Sequence, residues 1–205
     1  MRAILALALP IVVLGSAVPQ RRSVEPAPAV SLNDNLEPAG SLVDGTLELH
    51  LEVREGTWHV LGPDRPAARV LAFAEPGRPA SIPAPLIRVP LGTTVHASVT
   101  NLLDSTLVVH GLARRRVYAL DSLVVPPRET RDVEFVADAE GTYYYWGTTT
   151  GVAFDDRGYE DSQLTGAFVV DPVEGAQDDR IMIITAWVDA RDAEGNPDGW
   201  REFLM

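Results

Sequence analysis

Apolar and polar residues alternate along most of the chain, the period of half-buried strands. Thr46-Leu47-Glu48-Leu49-His50-Leu51-Glu52-Val53 alternates throughout and predicts a strand. Glu55-Gly56 then predicts a turn, and Thr57-Trp58-His59-Val60-Leu61 the second arm of a hairpin. Arg69 to Ala74 is a further strand, followed by a proline-rich stretch up to Pro85 that must be loop or sheet edge. Pro85 to Thr93 reads as a short strand with a glycine turn, and Val95 to Asn101 as an alternating strand. Thr106-Leu107-Val108-Val109-His110-Gly111-Leu112 is rich in β-branched residues and stops at a glycine. Ser122 to Pro127 and Arg131 to Val136 flank a proline turn, and Gly141-Thr142-Tyr143-Tyr144-Tyr145-Trp146-Gly147-Thr148 is an aromatic strand. Gln163 to Pro172 and Arg180 to Trp187 complete the set. Short strands, regular turn signals, almost no helical period and no internal repeat argue for an all-β sandwich.

The ends of the chain break this pattern. Residues 1–17 have the layout of a secretory signal peptide: Arg2, an apolar run from Ala3 to Leu14, then the small residues Gly15-Ser16-Ala17. The run is shorter than the roughly 20 residues that span a bilayer, so no membrane anchor is expected after cleavage. Residues 18–44 are rich in Pro, Ala, Ser and Asn without a sustained period, and are expected to form a mobile leader. The folded domain is expected over 45–188. Residues 189–205 then read as a linker stub towards a missing second domain, with a docked C-terminal strand as the alternative.

Composition narrows the function. The 205 residues carry a net charge of −12, and an acidic surface repels phosphate backbones, so no nucleic-acid partner is expected. With no cysteine there is no disulfide, no zinc–cysteine site and no thiolate-ligated blue copper centre.

Four stretches carry a resemblance. Pro85-Leu86-Ile87-Arg88-Val89-Pro90-Leu91-Gly92-Thr93, leading into Val95 to Asn101, is similar to the segment before the first copper-binding strand of multicopper oxidases. Val108 to Gly111 and Gly141 to Thr148 resemble that family's H-W-H-G and G-T-x-W-Y-H-x-H strands. Gln163 to Pro172 looks like its G-x-x-G-A-x-I-V strand, with Ser162 at the first glycine. The resemblance spans about Thr46 to Trp187 and implies an N-terminal plastocyanin-like domain, a Greek-key β-sandwich of cupredoxin type. It further implies copper as cofactor, oxidoreductase chemistry, a periplasmic or extracellular location, and further cupredoxin domains in the same or another chain as partners.

The same alignment exposes a deficit. Residues two apart on a strand share a face, so each H-x-H pair aims two imidazoles at one site. Here the first pair falls on Val108 and His110, and the second on Trp146 and Thr148. His110 is the one candidate copper ligand, and its plainer reading is a strand-end histidine bonded to backbone or water. Tyr143 to Trp146 are expected to pack as core on both faces of a sandwich strand, the sharper alternative being that Trp146, with Val108, fills the space that copper would occupy. His50, His59 and His96 lack ligand spacing and read as surface or edge residues, although a hairpin would allow His50 to face His59. The acidic loop Phe154 to Asp161 and Arg114-Arg115-Arg116 read as solvated turns. No catalytic residue is assigned. The expected function is the N-terminal domain of an exported multicopper-oxidase-family protein, inactive alone. The alternatives are a cupredoxin-like binding or assembly module that has lost its copper site, and a mononuclear copper carrier built on His110.

Overall fold

The computed structural model describes residues 27–113, 121–154, 157, 158, 160–176, 178–191 and 197–205. The expected signal peptide and the Arg114-Arg115-Arg116 turn lie outside them. The described elements are strands, with no α-helix among them.

Two five-stranded sheets face each other. The first is built on β3 (Thr46–Trp58), which pairs parallel with β7 (Thr94–Asn101) and antiparallel with β2 (Ser41–Val43) and β4 (Ala68–Ala74). Strand β10 (Thr130–Val136) extends it beyond β7. The second sheet runs β6 (Ile87–Pro90), β12 (Thr165–Asp171), β11 (Gly141–Thr148), β8 (Leu107–His110) and β9 (Leu123–Val125). The core lies between the sheets, where alternation predicts it: Leu47, Leu49, Leu51 and Val53 of β3 meet Leu107, Val109, Tyr145 and Phe168 of the second sheet. The expected all-β sandwich is therefore the observed architecture.

Three expectations change in detail. Glu55-Gly56 is no turn, because β3 continues straight to Trp58 and His50 and His59 do not face each other across a hairpin. Gly56 serves a close approach instead, since a Cβ there would sit 2.5 Å from Val30 Cγ1. Residues 27–44, expected to be mobile, are a strap hydrogen-bonded along the sandwich. Val30 N donates to Thr57 O at 2.9 Å, Ser31 N to Ala80 O at 2.9 Å and Ala39 N to Leu86 O at 2.7 Å. Its strands β1 (Ser31–Leu32), parallel to β5 (Ser81–Ile82), and β2 are too short to leave a period in the sequence.

The third difference concerns the segment expected as a linker stub. Residues Pro197–Leu204 form β14, antiparallel to β13 (Ile184–Arg191). Met205 N donates to Ile183 O at 2.9 Å, closing the pair. This hairpin lies against the outer face of β4, where Trp58, Val70, Ala72, Ala74 and Ile82 form a second apolar cluster with Trp187 and Met205 packed on it. The Trp58 and Trp187 rings meet edge to face, 6.1 Å between centroids. Burial on both faces explains why Arg69 to Ala74 reads as an apolar run rather than an alternation.

Candidate functional site

Strands β8 and β11 are antiparallel neighbours, with Trp146 opposite His110 and Thr148 opposite Val108. Directly opposed residues share a face, so these four side chains form a square on the outer face of the second sheet. The intervening Val109 points into the core. Gly111 ends β8 at φ +84, and a Cβ there would lie 2.7 Å from Tyr145 Cα, so the H-W-H-G glycine is required by this backbone approach.

Only one corner of the square carries an imidazole. His110 Nδ1 lies 2.9 Å from the Asp121 carbonyl, to which it donates. Gly111 N donates to the Asp121 carboxylate at 3.0 Å. The Trp146 indole stacks on the His110 ring, 4.2 Å between centroids and 18° between planes. The cleft beside them, about 340 Å³, is lined by His110, Asp121, Tyr144, Trp146 and Phe154 among others. Trp146 thus points at His110, as the space-filling reading requires. The reading of core packing on both faces needs correction. Tyr145 is fully buried, donating its hydroxyl to Pro85 O at 2.5 Å, whereas Tyr144 on the opposite face is 43% exposed.

The loop expected to be solvated is also corrected. Arg157 and Asp161 are buried. One Asp161 oxygen accepts from Thr148 Oγ1 at 2.8 Å, Thr150 Oγ1 at 3.0 Å and Thr149 N at 3.1 Å. That carboxylate satisfies the donors of the turn leaving β11. Arg157 Nη1 donates to Gly147 O at 2.6 Å and Asp161 O at 3.0 Å, and Nη2 to Thr165 Oγ1 at 2.9 Å. Burial pushes the Arg157 pKa down to about 10, with the neighbouring Asp161 charge opposing the shift. Sequence reasoning missed both residues. The available signal was Thr148-Thr149-Thr150, a run of donors leaving a strand with an acid downstream to receive them.

The other histidines do not join this site. His96 lies on β7 between Glu48 (Nδ1 to Oε1, 2.8 Å) and Glu134 (Nε2 to Oε2, 3.0 Å), on the outer face of the opposite sheet. His50 lines the same surface depression.

Residues 78–175 match the multicopper oxidase family model. Over that stretch the chain is similar to a multicopper oxidase domain, and its fold is cupredoxin-like. No curated protein matches the chain by sequence. Among solved structures, a multicopper oxidase is 17% identical, with TM-score 0.58, covering 82% of this chain and 57% of that one. The Nitrosomonas europaea blue copper oxidase is 22% identical, TM-score 0.57, with 78% and 52% covered. Lac15 from a marine microbial metagenome is 20% identical, TM-score 0.55, with 76% and 42% covered. These likenesses show the fold. The chain spans about half the length of these structures.

The family implies copper, and the residues at the square do not fit it. Valine has no donor atom, the Thr148 hydroxyl is engaged by Asp161, and the His110 ring is covered by an indole. Among the described residues no group of three or more His, Cys, Asp or Glu side chains could hold a metal ion. Copper favours imidazole ligands, and one imidazole does not make a multinuclear centre.

Proposed function

We propose that this chain is the N-terminal plastocyanin-like domain of an exported multicopper-oxidase-family protein, acting as scaffold rather than copper ligand and inactive alone. The observation that carries this reading is the square on β8 and β11, where Val108, Trp146 and Thr148 stand with His110. The strand geometry of a copper domain is retained while the ligands are replaced. Export is supported by the apolar run and small residues of 1–17. Oxidase chemistry in such a protein requires further cupredoxin domains, in line with the half-length coverage of the solved structures.

A second reading, a cupredoxin-like binding or assembly module, is favoured by the same apolar replacements, which stabilise the fold without a metal. Sequencing the coding region beyond the codon for Met205 separates the two. A following cupredoxin domain with an H-C-H motif supports the first reading, and a stop codon at that point overturns it in favour of the second.

A further inference from the structure

The cleft beside His110 is walled by rings that the fold does not finish covering. Tyr144 and Phe154 meet at 5.7 Å between centroids with their planes 53° apart, and Phe154 meets Trp146 at 5.3 Å and 60°. Tyr144 nevertheless stays 43% exposed and Phe154 40% exposed. Aromatic surface gathered at one place and left in water points to a ligand that covers it. The cleft, about 340 Å³, is within the size range of small-molecule sites.

His110 gives this cleft a polar contact. The Asp121 carbonyl oxygen only accepts, so Nδ1 carries the proton that it receives at 2.9 Å. In the neutral ring Nε2 is then a lone-pair acceptor, and no donor among the described residues takes it. The rings themselves select the rest of the ligand. Their tilted contacts are the edge-to-face geometry that another aromatic ring extends. A cationic ligand is disfavoured, because the Arg157 guanidinium carbon already lies 4.6 Å from the Trp146 centroid and 5.2 Å from that of Phe154.

We propose that this cleft binds a small, flat, uncharged aromatic molecule with a hydrogen-bond donor, its ring against Tyr144 and Phe154 and its donor on His110 Nε2. The inference rests on the copper-free reading of the square and goes beyond it: the retained histidine has a use that needs no metal.

The test is calorimetric titration of the whole chain in EDTA with indole, which has one N–H donor, and with 1-methylindole, which has none. Native protein should bind indole at one saturable site and 1-methylindole about fivefold more weakly, the worth of one neutral hydrogen bond. In His110→Asn the shorter amide can still donate to Asp121 O but there is no Nε2, so the two probes should bind alike. Phe154→Ala, at a half-exposed position that leaves the core intact, should weaken both by about tenfold. The inference is overturned if indole does not saturate, if the two probes bind the native chain equally, or if Phe154→Ala binds as the native chain does. It is overturned too if folded His110→Asn keeps the preference for indole. Repeating the titration with one equivalent of Cu(II) in place of EDTA should change nothing. Indole binding that copper blocks in the native chain but not in His110→Asn would confirm Nε2 as the open acceptor of the cleft while overturning the copper-free reading.

Discussion

Gly166 and Tyr145 offer a sharp test of how the two halves of the second sheet are matched. They are register partners on β12 and β11. A Cβ at Gly166 would lie 2.5 Å from Tyr145 Cζ and 2.7 Å from its hydroxyl. The ring has no room to yield: it is fully buried, it packs on Phe73 at 5.3 Å, and its hydroxyl is held by Pro85 O. Gly166→Ala therefore forces the strands apart or the ring off its site. Overpacking of this kind costs about 1–3 kcal/mol, and loss of the hydroxyl bond adds about 1 kcal/mol. The sum, about 3 kcal/mol, corresponds to a melting temperature lower by about 6–12 °C. Gly147→Ala is the control. Its added Cβ would meet side-chain carbons of Leu107 and Leu164 at 3.1 and 3.3 Å, which can adjust, so a cost nearer 1 kcal/mol is expected. Urea unfolding of both variants, and of Tyr145→Leu with Gly166→Ala, measures the coupling. The double variant should recover at least half of the Gly166→Ala loss. If Gly166→Ala costs no more than Gly147→Ala, or the double variant recovers nothing, the reasoning is refuted.

Asp161→Ala leaves the Thr148 and Thr150 hydroxyls and the Thr149 amide without their shared acceptor, and should destabilise by about 3 kcal/mol in denaturant titration. Arg88→Met removes the guanidinium that reaches Asp171 at 2.7 Å and Asp179 at 2.7 Å, joining β6 to β12. A loss of about 3 kcal/mol that changes little between low and high salt is expected, because the Arg88–Asp171 pair is largely buried. Tyr145 sets an alkaline limit. Burial raises its pKa well above the ordinary value near 10, so its contribution is complete below pH 10 and is lost as pH rises towards the folded value. Between pH 9 and 11 the native chain should lose stability faster than Tyr145→Phe, by up to about 1.4 kcal/mol per pH unit, and parallel pH profiles would contradict this.

The sandwich was legible in the sequence because period-two alternation reports burial on one face directly, as in Thr46 to Val53 and Thr94 to Asn101. The four square positions were legible through the resemblance to the H-W-H-G and H-x-H strands, which assigns them residue by residue, and spacing adds only that each pair shares a face. Pairing between distant segments was not. Nothing local in 27–44 announces that its backbone bonds to Thr57, Ala80 and Leu86, because two- and three-residue strands carry no period. Gly56 looked like a turn glycine because close packing against Val30, 26 residues earlier by the numbering, leaves no local signature. Arg157 and Asp161 looked solvated for the same reason: the acceptors and donors that justify their burial lie on β11 and β12, outside the loop that contains them.

The central claim is that this domain keeps the copper-binding strands without binding copper. Its most direct test is the copper content of the purified chain after reconstitution with Cu(II) and removal of excess metal, with His110→Ala alongside. The account predicts only sub-stoichiometric copper, the same in both proteins, because one stacked imidazole does not form the site. One copper per chain in the native protein, lost in His110→Ala, would contradict it and make His110 the anchor of a working metal centre.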